Sequence, residues 1–337
     1  MRPFHYERPR ALEEAIAGKT EASRFLGGGT NLIDLMKYDV ERPASLLDLN
    51  RLEGLREVER DREGTLRIGA LVSNADAAAH PLVREHHPLL ADAILAGATP
   101  QLRNMATMGG NLLQRTRCYY FYDRLTPCNK REPGTGCPAK EGVNRIHAIL
   151  GTSEHCIATH PSDMCVALAA LEAVVVVRGP SGERRIRTED FHRLPGDAPE
   201  RDTTLDAREV VTAIEIPARL YGRHHTYLKL RDRLSYAFAL VSVAVTMEMQ
   251  EGRVSRLRVA LGGVAHKPWR VPEAEALLEG RGPEEARFGA VADRLLQGAR
   301  GYGHNDFKIG LARLAIARAL HQAAAATPQS HVAKRIA

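Results

Sequence analysis

All five cysteines of this chain fall in one short part of a 337-residue sequence. They are Cys118, Cys128, Cys137, Cys156 and Cys165. An odd number cannot pair completely in disulfides, and the spacings lack the close Cys-x-x-Cys pairs typical of structural zinc sites. Long, irregular spacings suit a [4Fe–4S] cluster, which four thiolates surround from several directions. The sequence therefore predicts that this part of the chain folds around a metal or iron–sulfur centre.

The residues around most of these cysteines are not those of an apolar core. Residues 118–151 are rich in proline, glycine, asparagine, threonine and charge, and they follow neither a helical nor a strand period. So long a stretch without periodicity is unusual as a simple connection. Cys118, Cys128 and Cys137 lie among polar residues, which disfavours the alternative that they are buried as small apolar side chains. Cys165 instead lies in a run of apolar helix-forming residues, where packing is its expected role.

The composition excludes several classes of protein. Hydrophobic residues make up 44% and charged residues 26%, as in ordinary globular proteins, and no apolar run approaches the roughly 18–20 residues of a membrane span. The net charge of +6 is spread over mixed-sign stretches, which argues against nucleic acid as the main partner. The amino terminus lacks the apolar segment of a secretory signal, so export would need a signal-bearing partner. Because no Ser-His-Asp set or distinct carboxylate pair is present, we predict no catalytic residue and a role in moving electrons.

Strand-like and helical patterns on either side of the cysteine-rich segment predict an α+β fold in several units. Residues 1–56 indicate a small α/β unit, and residues 57–220 indicate a second unit that the segment at about 115–157 interrupts. Three strand-like runs followed by helical stretches predict a separate α+β domain over residues 221–326. The polar tail, residues 327–337, is expected to fray.

Two finer predictions concern a helix and the histidines. Apolar residues recur at helical spacing through residues 82–96, which predicts one amphipathic stretch there. Histidine is plentiful but forms no metal-ligand spacing, and the adjacent pairs at 86–87 and 224–225 are expected at the surface. His155 and His160 flank Cys156 and are candidates to surround the iron–sulfur site.

Two glycine-rich loops repeat the same chemistry. Glycine lets the backbone approach a ligand closely, and N–H groups at a helix start attract phosphate. Neither loop is a P-loop or a Rossmann fingerprint, so a tight turn is the alternative for either one alone. Together, two such loops could clasp one pyrophosphate. The candidate residues are Leu26, Gly27, Gly28, Gly29, Thr30, Asn31 and Leu32 in the first loop and Thr107, Gly110 and Asn111 in the second.

These loops, together with the segment Pro161-Ser162-Asp163, resemble the motifs of the FAD-binding medium subunits of the molybdenum hydroxylases, the xanthine dehydrogenase and carbon monoxide dehydrogenase family. Residues 227–239 and 260–270 extend the resemblance over nearly the whole chain. It implies a two-part FAD-binding domain followed by an α+β domain with a three-stranded antiparallel sheet and helices.

The resemblance also implies roles for individual residues. The two loops would hold the FAD pyrophosphate, Asp163 would reach the ribose or adenine end, and Lys229 would lie near the isoalloxazine. Two plainer interpretations stay open. Asp163 would serve only at a helix start beside Ser162, and Lys229 would be an exposed strand lysine.

The cysteine-rich segment resembles one branch of this family in particular. Residues 115–123, 127–131 and 136–138 are similar to the medium subunit of periplasmic aldehyde oxidoreductases, which carries a [4Fe–4S] cluster beside the FAD, and a related insert occurs in 4-hydroxybenzoyl-CoA reductase. Cys165 looks like a packing residue. The resemblance therefore implies these cluster ligands: Cys118, Cys128, Cys137 and Cys156.

The function that the resemblance implies is electron transfer within a heterotrimer. A large subunit with the molybdenum cofactor would oxidise an aldehyde to a carboxylic acid, and a small subunit with [2Fe–2S] clusters would pass electrons to this chain. Its FAD and [4Fe–4S] cluster would pass them to an external acceptor such as ferredoxin or quinone. Co-export with a signal-bearing partner would make the complex periplasmic. The alternatives are a cytoplasmic NAD- or quinone-linked hydroxylase subunit and, more distantly, a metal-stapled nucleic-acid-binding module.

Overall fold

The computed structural model describes residues 1–219 and 221–331, and the strands within these ranges form three sheets. The strands are β1 (His5–Glu7), β2 (Ser23–Leu26), β3 (Ser45–Asp48), β4 (Val58–Arg60), β5 (Leu66–Gly69), β6 (Val174–Gly179), β7 (Gly182–Arg187), β8 (Val210–Ile216), β9 (His225–Leu230), β10 (Val241–Gln250) and β11 (Arg253–Gly262). The helices are α1 (Leu12–Ala17), α2 (Leu32–Lys37), α3 (Asn74–Ala79), α4 (Pro81–His86), α5 (Pro88–Ala96), α6 (Pro100–Met105), α7 (Met108–Leu112), α8 (Tyr119–Tyr122), α9 (Asp163–Ala170), α10 (Thr188–Phe191), α11 (Pro272–Glu275), α12 (Glu285–Leu295) and α13 (Phe307–Ala324).

The first sheet is parallel and belongs to the amino-terminal unit. Its strand order is β1-β3-β2, and α1 and α2 supply the crossovers that parallel neighbours need. β2 ends at Leu26, the glycine-rich loop follows, and α2 begins at Leu32. The loop therefore lies at the carboxyl edge of this sheet, where open α/β sheets bind their ligands.

The second sheet is antiparallel, with strand order β4-β5-β8-β6-β7. Helix α9 packs against α5 and also against β10 and β11 of the third sheet. All eight residues of α9 are buried, so the helix lies between the second unit and the carboxyl-terminal domain. One apolar core consequently runs from Leu66 through Leu168 to Ala260.

The third sheet has the order β11-β10-β9 and is antiparallel. The long helix α13 packs on β9 and β10, and α12 packs on α13. The predicted α+β fold, with a three-stranded antiparallel sheet and helices in the last domain, is confirmed. Among the helices of the described ranges, none combines the length and apolar character that crossing a bilayer requires.

The amphipathic stretch predicted over residues 82–96 is not a single helix, because it is broken between α4 and α5. Pro88 disfavours the helical conformation for the residue before it, and His87 accordingly has φ −136° and ψ 55°. His87 is also fully buried, and so is most of His225. The prediction that both histidine pairs lie at the surface is therefore wrong for these two members.

The described part of the polar tail does not fray. The Gln329 backbone N–H donates to Thr226 Oγ1 over 3.0 Å, and buried His331 contacts the Tyr227 carbonyl through Nε2 at 2.6 Å. Residues 327–331 thus lie along β9. The rest of the predicted tail, residues 332–337, lies outside the described residues.

The cysteine-rich segment has little regular structure beyond α8 and is held by polar contacts to other parts of the chain. Lys130 Nζ donates to the Pro199 carbonyl at 2.7 Å and pairs with Asp202. Asn144 donates to the Tyr302 carbonyl at 2.7 Å, and Lys308 donates to the His147 carbonyl at 2.8 Å. Side-chain hydrogen bonds to backbone carbonyls thus add to the small apolar cluster of this segment, in which Phe121 packs with Leu35 and Ala158.

Candidate functional site

The two glycine-rich loops are in direct contact with each other. A Cβ atom on Gly28 would lie 1.7 Å from the Met105 carbonyl oxygen, and one on Gly27 would lie 2.9 Å from Thr107 Oγ1. Only glycine allows backbone to approach backbone this closely. The first two glycines therefore hold the loops together, a role that the sequence analysis did not assign to them.

The second loop ends in a capped helix start that faces open space. Thr107 is the N-cap of α7, and its Oγ1 accepts the Gly110 N–H at 3.1 Å. A Cβ atom on Gly110 would meet only that hydroxyl, at 2.9 Å. Asn111 Oδ1 accepts a hydrogen bond of 2.7 Å from Ser162 Oγ, so the structure brings the second loop and the Ser162-Asp163 motif together.

These motifs line one cleft of about 800 Å³ between the amino-terminal unit, the second unit and the carboxyl-terminal domain. Two buried amide atoms of its walls, Asn31 Nδ2 and Asn74 Oδ1, have no hydrogen-bond partner in the described chain. Buried polar atoms are almost always paired, so such atoms mark a place where a ligand completes the pairing. The predicted residues that line the cleft are Thr30, Asn31, Gly110, Asn111, Asp163 and Lys229.

Asp163 and Lys229 are bound to each other. Lys229 Nζ lies 2.7 Å from Asp163 Oδ2 and also donates to the Ala96 carbonyl at 3.1 Å. Tyr227 donates to Asp163 Oδ1 at 2.6 Å, and burial together with this carboxylate raises the pKa of Tyr227 well above its usual value. Lys229 is therefore buried rather than exposed. Ser162 does cap α9, since its Oγ accepts the Cys165 N–H at 3.1 Å.

A group of aromatic side chains lies at the part of the cleft next to α8. Arg117 stacks over the Phe238 ring, with 4.9 Å from its guanidinium carbon to the ring centre, and Tyr38 packs edge-on against Tyr122 at 5.4 Å. Tyr236 also lines this part of the cleft. Planar rings favour such an environment because they can stack on its side chains.

Four of the five cysteines line a second, smaller hollow. They are Cys118, Cys128, Cys137 and Cys156. Burial raises the pKa of the Cys118 thiol to about 12 and that of the Cys156 thiol to about 11, and it also raises the pKa of Cys137. His147 Nε2 lies 3.1 Å from Cys118 Sγ, and burial together with Lys308 lowers the pKa of this histidine to about 4. Four thiols around one hollow are the donor set that a [4Fe–4S] cluster requires.

Cys165 lies apart from this hollow, inside α9. Its sulfur and one ring nitrogen each of His160 and His192 lie within 4.8 Å of one another. His192 Nε2 contacts the Leu112 carbonyl at 2.8 Å, and the His160 and His192 rings pack with their centres 4.2 Å apart and their planes tilted by 51°. Of the two histidines predicted near the iron–sulfur site, His155 lines the hollow, whereas His160 lines the cleft.

Comparisons with known proteins agree with this geometry. Residues 2–219 match the FAD binding domain in molybdopterin dehydrogenase, and residues 225–323 match the CO dehydrogenase flavoprotein C-terminal domain. The chain is 50% identical over 328 residues to the FAD-binding subunit of an aldehyde oxidoreductase from Escherichia coli, covering 96% of this chain and 99% of the relative. The chain belongs to the FAD-binding medium subunits of the molybdenum hydroxylases.

More distant members agree. The carbon monoxide dehydrogenase medium chain of Hydrogenophaga pseudoflava is 28% identical, and the alignment covers 95% of this chain and 96% of that one. A solved carbon monoxide dehydrogenase from the same organism superposes with a TM-score of 0.76 over 97% of this chain and 99% of the other. The predicted family and FAD are confirmed, and the chain is a subunit of a multi-subunit oxidoreductase.

In this medium subunit the cleft and the hollow share one wall. Neighbouring residues along the chain face opposite sides of it. At three places two adjacent residues line different spaces. The residues that line the cleft are Arg117, Ile146 and Thr159, and their neighbours that line the hollow are Cys118, His147 and Ala158. At these places the same stretch of chain lines both spaces.

Several residues of this medium-subunit site were not predicted. Tyr227 alternates with Lys229 on β9, so the period of a strand could have placed both beside Asp163. Arg117 directly precedes a predicted cysteine ligand, which was the available signal for it. The roles of Asn74 and of the Met105 carbonyl depend on tertiary contacts, and nothing local in the sequence indicates them.

Proposed function

We propose that this chain is the FAD- and [4Fe–4S]-carrying electron-transfer subunit of a heterotrimeric molybdenum-dependent aldehyde oxidoreductase. The observation that carries the proposal is the four-cysteine hollow and the wall that it shares with the FAD cleft. The 50% identity to an aldehyde oxidoreductase subunit supports the choice of aldehyde as the substrate class.

The cluster ligands in this proposal are Cys118, Cys128, Cys137 and Cys156. Because burial raises the pKa of the Cys118, Cys137 and Cys156 thiols and ligands must be thiolates, cluster binding releases protons. Phe121 is fully buried and lines the hollow beside Tyr120, so both rings keep water away from the sulfurs. Exclusion of water is one of the means by which a protein sets the potential of a cluster.

The residues of the cleft bind and orient the FAD. Gly110 and Asn111 line the cleft at the start of α7, where the pyrophosphate would lie, and the aromatic group accommodates a planar ring. When bound, FAD supplies two-electron chemistry that connects the partner subunits' [2Fe–2S] clusters to a one-electron carrier. Because the cleft and the hollow share a wall, an FAD and a cluster bound in them would be neighbours, as electron transfer between them requires.

Partner subunits supply the rest of the reaction in this proposal. A large subunit holds the molybdenum cofactor and the aldehyde, and a small subunit holds the [2Fe–2S] clusters. Electrons leave through this chain to an external acceptor such as ferredoxin or quinone. The assembled complex is exported to the periplasm with a signal-bearing partner.

Cofactor analysis of the purified complex tests this proposal. We expect one FAD and about four irons with four sulfides on this chain, with flavin bands over a broad iron–sulfur absorption. The isolated chain should not oxidise aldehydes, whereas the complex should. A chain that carries FAD but no iron would contradict the cluster assignment, and efficient reduction of NAD by the complex would favour the cytoplasmic, NAD-linked alternative.

A further inference from the structure

Arg117 lies on the wall of the FAD cleft, and its positive charge forms no salt bridge with the described residues. Among the described residues, none forms an ion pair with it within 4.0 Å, although its guanidinium donates to the Arg115 carbonyl and stacks on Phe238. The remaining groups that act on it electrostatically are Asp34, Tyr122 and Tyr236, and burial lowers its pKa. A partly buried cation of this kind is stabilised by an anionic ligand.

The surroundings of Arg117 identify which part of a flavin nucleotide lies there. Gly110 and the start of α7 suit a pyrophosphate, whereas Arg117 lies among the aromatic side chains of the cleft. A ring system therefore fits the aromatic group better than a phosphate does. Cys118, the next residue, faces the hollow on the other side of the wall.

We propose that the aromatic group receives the isoalloxazine ring and that Arg117 stabilises this ring in its reduced, negatively charged form. This inference rests on the proposed function. The oxidised ring takes two electrons, supplied by the partner clusters, and one proton from water, which gives a singly negative reduced ring. The guanidinium then faces an anion that is absent before reduction, so it favours the reduced form.

The position of Arg117 also connects the flavin ring to the cysteine-rich segment. The ring that it would stabilise would lie on the cleft side of the wall whose other side carries Cys118. Lys229, the cation that the sequence predicted for this role, is already paired with Asp163. Arg117 is thus a positioning residue supplied by the cysteine-rich segment itself.

The experiment compares the potential of the flavin in the purified heterotrimer with that in variants. Arg117→Gln removes the charge, Arg117→Lys keeps it, and Arg124→Gln removes an exposed arginine on the same segment that pairs with Asp39. FAD and iron per chain are measured first, and spectroelectrochemistry then gives the flavin midpoint potential between pH 6 and 9, a range of about three units around neutrality.

We expect flavin reduction in Arg117→Gln to be about tenfold less favourable, which is about 30 mV for a two-electron couple, with FAD content preserved. When the flavin midpoint potential is plotted against pH, the pH at which the slope changes should rise, because loss of a cation raises the pKa of the reduced ring. Arg117→Lys should retain most of the potential, and Arg124→Gln should match the wild type.

Two results would overturn the inference. An unchanged flavin potential in Arg117→Gln would show that Arg117 does not act on the isoalloxazine ring. Loss of FAD, with an unchanged potential in the flavin that remains, would show that Arg117 binds the pyrophosphate instead. Failure of the proposed function is distinguishable, because the wild-type complex itself would then lack FAD or iron.

Discussion

Lys229 Nζ lies 2.7 Å from Asp163 Oδ2, and both side chains are almost completely buried. Two residues that the sequence predicted as separate contacts to the ends of FAD thus neutralise each other. The pair joins the first turn of α9 to β9 and so closes the cleft from the side of the carboxyl-terminal domain.

Removing one member of this pair should therefore affect stability more than flavin chemistry. We expect Lys229→Met to lower the free energy of unfolding by about 3–5 kcal/mol, because the Asp163 carboxylate is left buried without its cation. Urea denaturation measures this, and the double variant with Asp163→Asn should recover part of the loss. A fully stable Lys229→Met with a lowered flavin potential would instead favour the flavin contact.

The glycine loops allow a matched pair of variants. Gly110→Val should keep the fold but lose FAD, since the new side chain meets only the Thr107 hydroxyl and extends into the cleft. Gly28→Val should disturb the fold itself, because its Cβ would collide with the Met105 carbonyl. Thermal unfolding and flavin absorbance separate the two effects. Normal FAD content in Gly110→Val would argue against pyrophosphate binding at α7.

Serine substitutions test which cysteines are the proposed cluster ligands. Cys156→Ser should reduce iron to the level of a cluster-free protein, while Cys165→Ser should keep about four irons per chain. The reason is position: Cys156 lines the hollow and Cys165 packs inside α9. Iron and sulfide analysis of both variants, with Cys118→Ser, Cys128→Ser and Cys137→Ser for comparison, decides the assignment. The opposite pattern would exchange the roles of the two cysteines.

Asp202 should make the cysteine-rich segment sensitive to acid. Burial opposes its ionisation, yet Lys130 and Arg115 hold the pKa of this carboxyl well below its usual range. A lowered pKa contributes stability above the unfolded value of about 3.9, and this contribution is lost as the pH falls toward the folded value. Asp202→Asn should lower the free energy of unfolding by about 3 kcal/mol at pH 7 and by much less near pH 2.

Denaturation at both pH values, with Asp293→Asn as an exposed control, checks this prediction. Asp293 pairs with Arg313 at the surface, where solvent screens the two charges and the pair contributes little to stability. If Asp202→Asn lowers the free energy of unfolding equally at pH 7 and pH 2, the carboxylate charge is not what holds the segment.

Much of the architecture was predictable because its signals are local. The strand-like runs and helical stretches of residues 221–326 indicated the strands and helices of the last domain, among them β9 and α13. The break at His87 was missed because the apolar spacing continues across it, although Pro88 was the available signal. The four cysteines around one hollow were predicted by resemblance, since their spacing gives no geometry.

Contacts between distant segments were less predictable. Nothing near Gly28 in the sequence indicates that Met105 lies against it, because that contact arises only when the first and second units pack. The pairing of Asp163 with Lys229 likewise depends on how α9 packs against β9. Sequence patterns identify which residues carry chemistry, but tertiary packing decides whether they face a ligand or each other.

The shared wall between the hollow and the cleft gives the maturation of this subunit an order. Residues 117–118, 146–147 and 158–159 line both spaces, so a cluster bound by the cysteines of the hollow, as proposed above, would also hold the cleft side of this wall in place. A chain made under iron limitation should therefore bind FAD poorly even though its glycine loops are intact. Supply of iron would in this way control how much flavoprotein the cell can complete.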